Sequence, residues 1–169
     1  MTPLVRRARP GDLAAVGALT VAAYAPFTRG PDDPYVARLA DAAARDRDAE
    51  LWVAAHGDEV VGTVTTCPPG SPWREIAGDG EAEFRMLAVD PAAHGRGTGR
   101  RLVAHVVDRA RRAGDRRVVL STTPGMAAAH RLYERLGFVR VPARDWAPLP
   151  DVPLLAYVLD LSDDPRETA

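Results

Sequence analysis

Apolar residues recur every three to four positions in some stretches of the chain and fall in short dense runs in others. Leu4 to Ala8 alternates weakly before Pro10-Gly11-Asp12 breaks it. Leu13, Val16, Leu19 and Ala22-Ala23 then repeat at helical spacing, with Asp12 as the predicted N-cap. After the breakers Gly30-Pro31-Asp32-Asp33-Pro34, the spacing of Val36, Leu39 and Ala43 predicts a second helix over Tyr35 to Arg45. Three strands are predicted next. Leu51 to Ala55 leads into the tight turn His56-Gly57-Asp58, and Val60 to Cys67 answers it with Val and Thr in most positions. The third, Ala82 to Val89, follows the breaker-rich loop Pro68 to Trp73.

The second half alternates strands and helices. Asp90-Pro91 ends the third strand, and a glycine-rich turn, His94-Gly95-Arg96-Gly97-Thr98-Gly99, opens a helix over Arg100 to Ala113. Leu102, Val103, Val106, Val107 and Ala110 make one apolar stripe, and Gly114 supplies the stop. Val118-Val119-Leu120 reads as a buried strand. Thr123-Pro124 offers a cap and a first-turn proline for a helix over Met126 to Leu136. Strands over Phe138 to Val141 and Leu154 to Leu161 finish the pattern, and the charged tail Ser162 to Ala169 is expected to fray. The order β-α-α-β-β-β-α-β-α-β-β predicts an α/β (α+β) domain over 1–161, a mixed sheet covered by helices.

Composition narrows the function classes. The chain has 169 residues, 46% hydrophobic and 27% charged, with a net charge of −1. Such a balance argues against wholesale disorder and against a nucleic-acid-binding surface. No apolar run approaches the roughly 18 residues of a membrane span, and the start lacks a signal-peptide core, so a cytoplasmic protein is expected with no membrane partner. A single cysteine, Cys67, leaves no intramolecular disulfide, and the four histidines lack ligand spacing, so no metal is expected. All 22 basic residues are Arg; with no lysine there is no Schiff-base or Walker chemistry.

The chemistry concentrates between Leu87 and Val103. Gly95, Gly97 and Gly99 allow a tight turn that brings several N–H groups together at the start of a helix, where partial positive charge favours an anion. Arg96, Arg100 and Arg101 add positive charge. The turn reads as a phosphate or pyrophosphate cradle. A dinucleotide fingerprint fails in both registers, because its third glycine falls on Arg100 or Leu102.

This segment resembles motif A of the GNAT superfamily of N-acetyltransferases, Arg/Gln-x-x-Gly-x-Gly/Ala, with Gly97 and Gly99 on the glycines and His94 at the first position. Leu87-Ala-Val-Asp-Pro91 before it, and Ala129-His-Arg-Leu-Tyr133-Glu-Arg-Leu-Gly-Phe138 after it, are similar to the family's flanking strand and later helix. The resemblance implies a mostly antiparallel sheet with splayed middle strands and acetyl-CoA as cosubstrate. It implies backbone contacts from Leu87, Ala88 and Val89 to the pantetheine arm, a pyrophosphate on His94, Gly95, Arg96, Gly97, Thr98, Gly99 and Arg100, and an oxyanion donor near Val89.

The resemblance also implies an amine acceptor, small molecule or peptide, whose proton must be removed. Strand alternation would put Glu81, Glu83, Arg85, Leu87 and Val89 on one face. Glu83 is the first candidate base and Glu81 the second; pairing with Arg85 or solvation at a strand edge is the plainer reading of Glu83. Tyr133 is the candidate general acid toward the thiolate, or else packing on its helix. Tyr24, Phe27, Tyr35, Trp73 and Trp146 are candidates for the acceptor pocket, with core filling as the competing role. Asp32, Asp33 and Asp145 fit a solvated acidic loop, and Cys67 a small buried hydrophobe. A non-catalytic acyl-CoA sensor of the same fold, and a homodimer, stay open.

Overall fold

A computed structural model of the chain describes residues 1–162; the rest of the predicted charged tail lies outside the described residues. Seven strands form one sheet in the order β1-β2-β3-β4-β5-β7-β6. They are β1 (Leu4–Arg7), β2 (Glu50–His56), β3 (Glu59–Thr66), β4 (Glu81–Val89), β5 (Arg117–Thr122), β6 (Val139–Arg140) and β7 (Leu155–Asp160). All neighbours are antiparallel except β4 and β5. Helices α1 (Leu13–Tyr24), α2 (Pro34–Ala40), α3 (Ala42–Asp48), α4 (Thr98–Ala113) and α5 (Ala127–Arg135) cover the faces.

The predicted apolar stripe of α4 is the one that packs. Leu102, Val103, Val106, Val107 and Ala110 are buried in the main core with Phe84, Val118, Leu120 and Tyr133. Each large side chain so buried contributes about 1.5–3 kcal/mol. Gly114 ends the helix in the left-handed conformation, φ 78°, its N–H returning to Ala110 and Arg111.

Local polar chemistry overrides the pattern in three places. The helix predicted over 35–45 is two helices broken at Asp41, whose side chain accepts from the Ala44 N–H at 2.9 Å and starts a new helix. Asp12 does not cap α1. It accepts from the Arg9 N–H at 2.7 Å and pairs with Arg6 at 2.6 Å, closing the preceding turn. Thr123 does not cap α5, which begins four residues later; its carbonyl accepts from the Met126 N–H and its hydroxyl is buried without a partner among the described residues.

The fourth departure shapes the site. Thr63 faces Ala88 and Thr65 faces Arg85, so Met86 and Leu87 together oppose Val64. Met86 takes up this bulge with φ +51°, in the left-handed region that a methionine seldom visits. The bulge switches the faces of β4. Glu83 and Arg85 stay on one side, and Leu87 and Val89 join the α4 core on the other, so the single face expected for 81, 83, 85, 87 and 89 does not form.

Candidate active site

β4 and β5 are paired over three positions only, Glu81 with Arg117, Ala82 with Val118 and Glu83 with Val119. Beyond Glu83 they diverge. On its β3 side β4 stays paired as far as Val89; on its β5 side no described strand pairs with Phe84 to Val89. The middle of the sheet is therefore a wedge with a free strand edge along Leu87, Ala88 and Val89, the kind of edge that an extended ligand can add to.

The glycine-rich turn stands at the open end of this wedge. Gly95 and Gly97 have φ of 75° and 78°, conformations that a side chain resists. Gly99 serves packing instead: a Cβ there would lie 3.2 Å from Leu132 and 3.6 Å from Val89. The first helical hydrogen bond of α4 runs from the Arg101 N–H to the Gly97 carbonyl at 3.0 Å. Among the described residues no acceptor meets the backbone N–H groups of Gly95 to Arg100. Free amides, the positive end of a 16-residue helix and the exposed Arg96, Arg100 and Arg101 make an anion site suited to a diphosphate. His94 turns back, its Nε2 lying 3.1 Å from the Val89 carbonyl. A carbonyl only accepts, so Nε2 carries the proton in that contact and ties the turn to the end of β4.

A cavity of about 540 Å³ opens on the α1–α2 side and reaches into the wedge. Phe84, Leu87, Leu120 and Tyr133 line its depth, and Tyr24, Phe27 and Tyr35 its walls. The ring of Tyr133 is buried edge-on against Phe84, centroids 6.0 Å apart. Burial pushes its hydroxyl well above the usual tyrosine range, so it stays protonated, and it makes no hydrogen bond to another described residue. At the mouth Arg29 reaches Asp151 at 3.0 Å, tying the segment after α1 to the loop before β7.

The two carboxylates favoured by spacing do not line this cavity. Glu83 is buried, and its carboxylate accepts from the N–H groups of Glu75, Ile76 and Ala77 at 3.0–3.4 Å. It neither pairs with Arg85 nor meets solvent; it anchors the loop before β4. Glu81 is bound by Arg144 at 2.8 and 3.0 Å and by the Gly78 N–H. The Arg144 contact, with the Gly78 amide and Arg117, holds its pKa down to about 2.

Three acids face the cavity, Asp33, Glu75 and Asp151; Glu75, beside β4, was missed by sequence patterning because it lies in the irregular stretch between β3 and β4. Burial raises its pKa, against the lowering effect of Arg85, which pairs with it at 2.8 Å. Only its place between Trp73 and the β4 carboxylates hinted at it. Trp73 itself lies behind the cavity wall, buried, with the guanidinium of Arg38 4.8 Å and that of Arg85 5.7 Å from its ring centre. Trp146 also stays off the cavity surface and donates to the Ser121 hydroxyl at 3.0 Å, bracing the end of β5. Asp33 caps α2, and Asp145 binds Arg140 and the Ala156 N–H. Cys67 is buried, its thiol pushed up to about 12. Among the described residues no cluster of three or more His, Cys, Asp or Glu could hold a metal, and no helix is long and apolar enough to cross a membrane.

Known proteins are similar to this chain in sequence and in fold. A mycothiol acetyltransferase of Geodermatophilus obscurus is 38% identical over 105 residues, 57% of this chain and 33% of its own. The chain spans between 30% and 40% of the length of this and two other curated relatives. A ribosomal-protein-alanine N-acetyltransferase of Brucella melitensis superposes with a TM-score of 0.67 at 25% identity, covering 94% of this chain and 99% of that one. An acetyltransferase of Salmonella typhimurium, solved with its cofactor acetyl-CoA, gives 0.65 at 25% identity over 97% and 96%. The acetyltransferase (GNAT) family profile matches residues 18–138, well over half of the sequence. The chain belongs to the GNAT family of acetyltransferases.

Proposed function

We propose that the protein is an acetyl-CoA-dependent N-acetyltransferase acting on a primary amine by direct attack in a ternary complex. The observation that supports this reading best is the wedge between β4 and β5. It has unengaged amides and arginines at one end and a cavity with an acid and a phenol at the other. The free amides of Gly95 to Arg100, with Arg96 and Arg100, hold the diphosphate, and the open edge of Leu87 to Val89 pairs with the pantetheine arm.

Acetyl-CoA supplies an acyl carbon bonded to a good leaving group: the amine lone pair forms the C–N bond, the C–S bond breaks, and coenzyme A leaves as thiolate. The remaining work falls to the protein. A backbone N–H near Val89 donates to the carbonyl oxygen as charge builds there, a contact worth about 3–4 kcal/mol in related sites. Glu75 accepts the amine proton, directly or through water; burial keeps its basicity above that of an ordinary carboxylate. Glu83 acts as the positioning residue that fixes the loop carrying Glu75. Tyr133, held protonated, delivers a proton to the departing sulfur.

Acetyl-CoA at a hundred times its Kd should add about 2.7 kcal/mol of stability, visible as a raised Tm. Tyr133→Phe should keep that shift and lose about a hundredfold to ten-thousandfold in turnover, followed by thiol release. Absence of any shift at millimolar acetyl-CoA would overturn the reading. Turnover unchanged in the Phe variant would remove Tyr133 from it.

A further inference from the structure

The cavity is lined by three arginines and three carboxyl groups, and they are unequally committed. Asp33 accepts from the N–H groups of Arg29 and Tyr35. Arg29 is taken up by Asp151, and Arg85 by Glu75. Arg38 is left over: among the described residues no carboxylate lies within ion-pair distance of it. Its guanidinium rests on the buried indole of Trp73. Its N–H groups donate to no described residue, which leaves the guanidinium fork free for a carboxylate with two parallel hydrogen bonds.

A second cation lies deeper. Arg45 is fully buried behind the same wall; its two terminal nitrogens meet the Leu39 carbonyl, the Met86 sulfur and the Thr20 hydroxyl, its Nε has no partner among the described residues, and the acid that acts on it, Asp41, does so without a hydrogen bond. Burial lowers its pKa to about 10, which leaves it charged at neutral pH. Arg38 is thus the cation of the cavity lining whose fork no described carboxylate takes up. An acceptor carrying its own carboxylate can engage that fork, and a simple ammonium cannot.

We propose that the acceptor is an amine with a carboxylate a few bonds away, an amino-acid-like molecule, whose carboxylate is held by Arg38 while its amino group faces Glu75. This rests on the acetyltransferase reading above and specifies its substrate class. Arg38 is exposed, so its replacement leaves the core intact.

The test compares phenylalanine, phenylalanine amide and phenethylamine as acceptors, with thiol release as the readout. The carboxylate should give a kcat/KM at least about tenfold above the other two, the size of one charge-assisted hydrogen bond. Arg38→Gln should bring the three within about twofold, and Arg38→Lys, which keeps charge but loses the fork, should restore part of the difference. Calorimetry with the matching N-acetyl products gives the same comparison without turnover. Equal use of the three acceptors, or no preference for the carboxylated product, would overturn the proposal. Loss of the acetyl-CoA thermal shift would instead overturn the acetyltransferase reading itself.

Discussion

Replacing Glu83 by Gln separates two roles that sequence spacing cannot. The Glu83 carboxylate takes hydrogen bonds from three consecutive amides, those of Glu75, Ile76 and Ala77. A glutamine keeps the shape but offers one acceptor oxygen and turns an NH₂ toward N–H donors. At least one amide then loses its partner, and the others lose a charged one. Hydrogen bonds to charged groups contribute about 1.5–3 kcal/mol each, so a cost of about 2–4 kcal/mol is expected. For a chain of this size that lowers Tm by roughly 4–16 °C. The freed loop should also misplace Glu75, lowering turnover. Glu75→Gln supplies the contrast: its loss of stability is confined to the Arg85 ion pair and leaves the loop anchored, while the rise in rate as pH climbs through the elevated Glu75 pKa is lost. The measurements are calorimetric melts and pH–rate profiles by thiol release. A Glu83→Gln protein that melts within about 1 °C of the parent yet has lost its turnover would refute the anchoring role and return Glu83 to the chemistry.

Two further outcomes are expected. Glu81 is held at about 2 against an ordinary 4.5, first by the Arg144 contact, so its stabilisation is present above the unfolded value and is lost as pH falls from about 5 toward 2. The amount is roughly 3 kcal/mol, and Glu81→Gln should lower the urea midpoint at neutral pH and flatten its fall in acid. An unchanged acid slope would mean that Arg144 contributes nothing. Cys67, buried with a thiol pushed up to about 12, should resist a disulfide reagent at pH 8 in the native protein and react fully in guanidinium. Fast native labelling would contradict its burial.

Periodicity carried most of the fold, because strands and helices that bury one face must repeat their apolar residues. The α4 stripe and the β2–β3 hairpin could be read directly. What escaped were decisions made by single polar groups and by one inserted residue. Asp41 breaks a helix whose apolar spacing continues through it. The bulge at Met86 reverses the faces of β4 and so invalidates the alternation that placed Glu83 beside Leu87. The glycine-rich turn was legible because its glycines and arginines are adjacent in sequence. The cavity acid beside β4 was not, because Glu75 is brought there by a loop whose path depends on a carboxylate eight residues away.

A sheet stitched across its centre by three residue pairs is two half-sheets sharing a short seam. Beyond that seam no strand pairing joins the halves among the described residues, and they are held by the core that α4 packs against both. A ligand that lies down the gap and adds its amides to the free edge mends the seam along its length. Occupancy is then expected to stiffen both halves at once, and slowed amide exchange in β1–β3 on adding acetyl-CoA is the measurement that checks it.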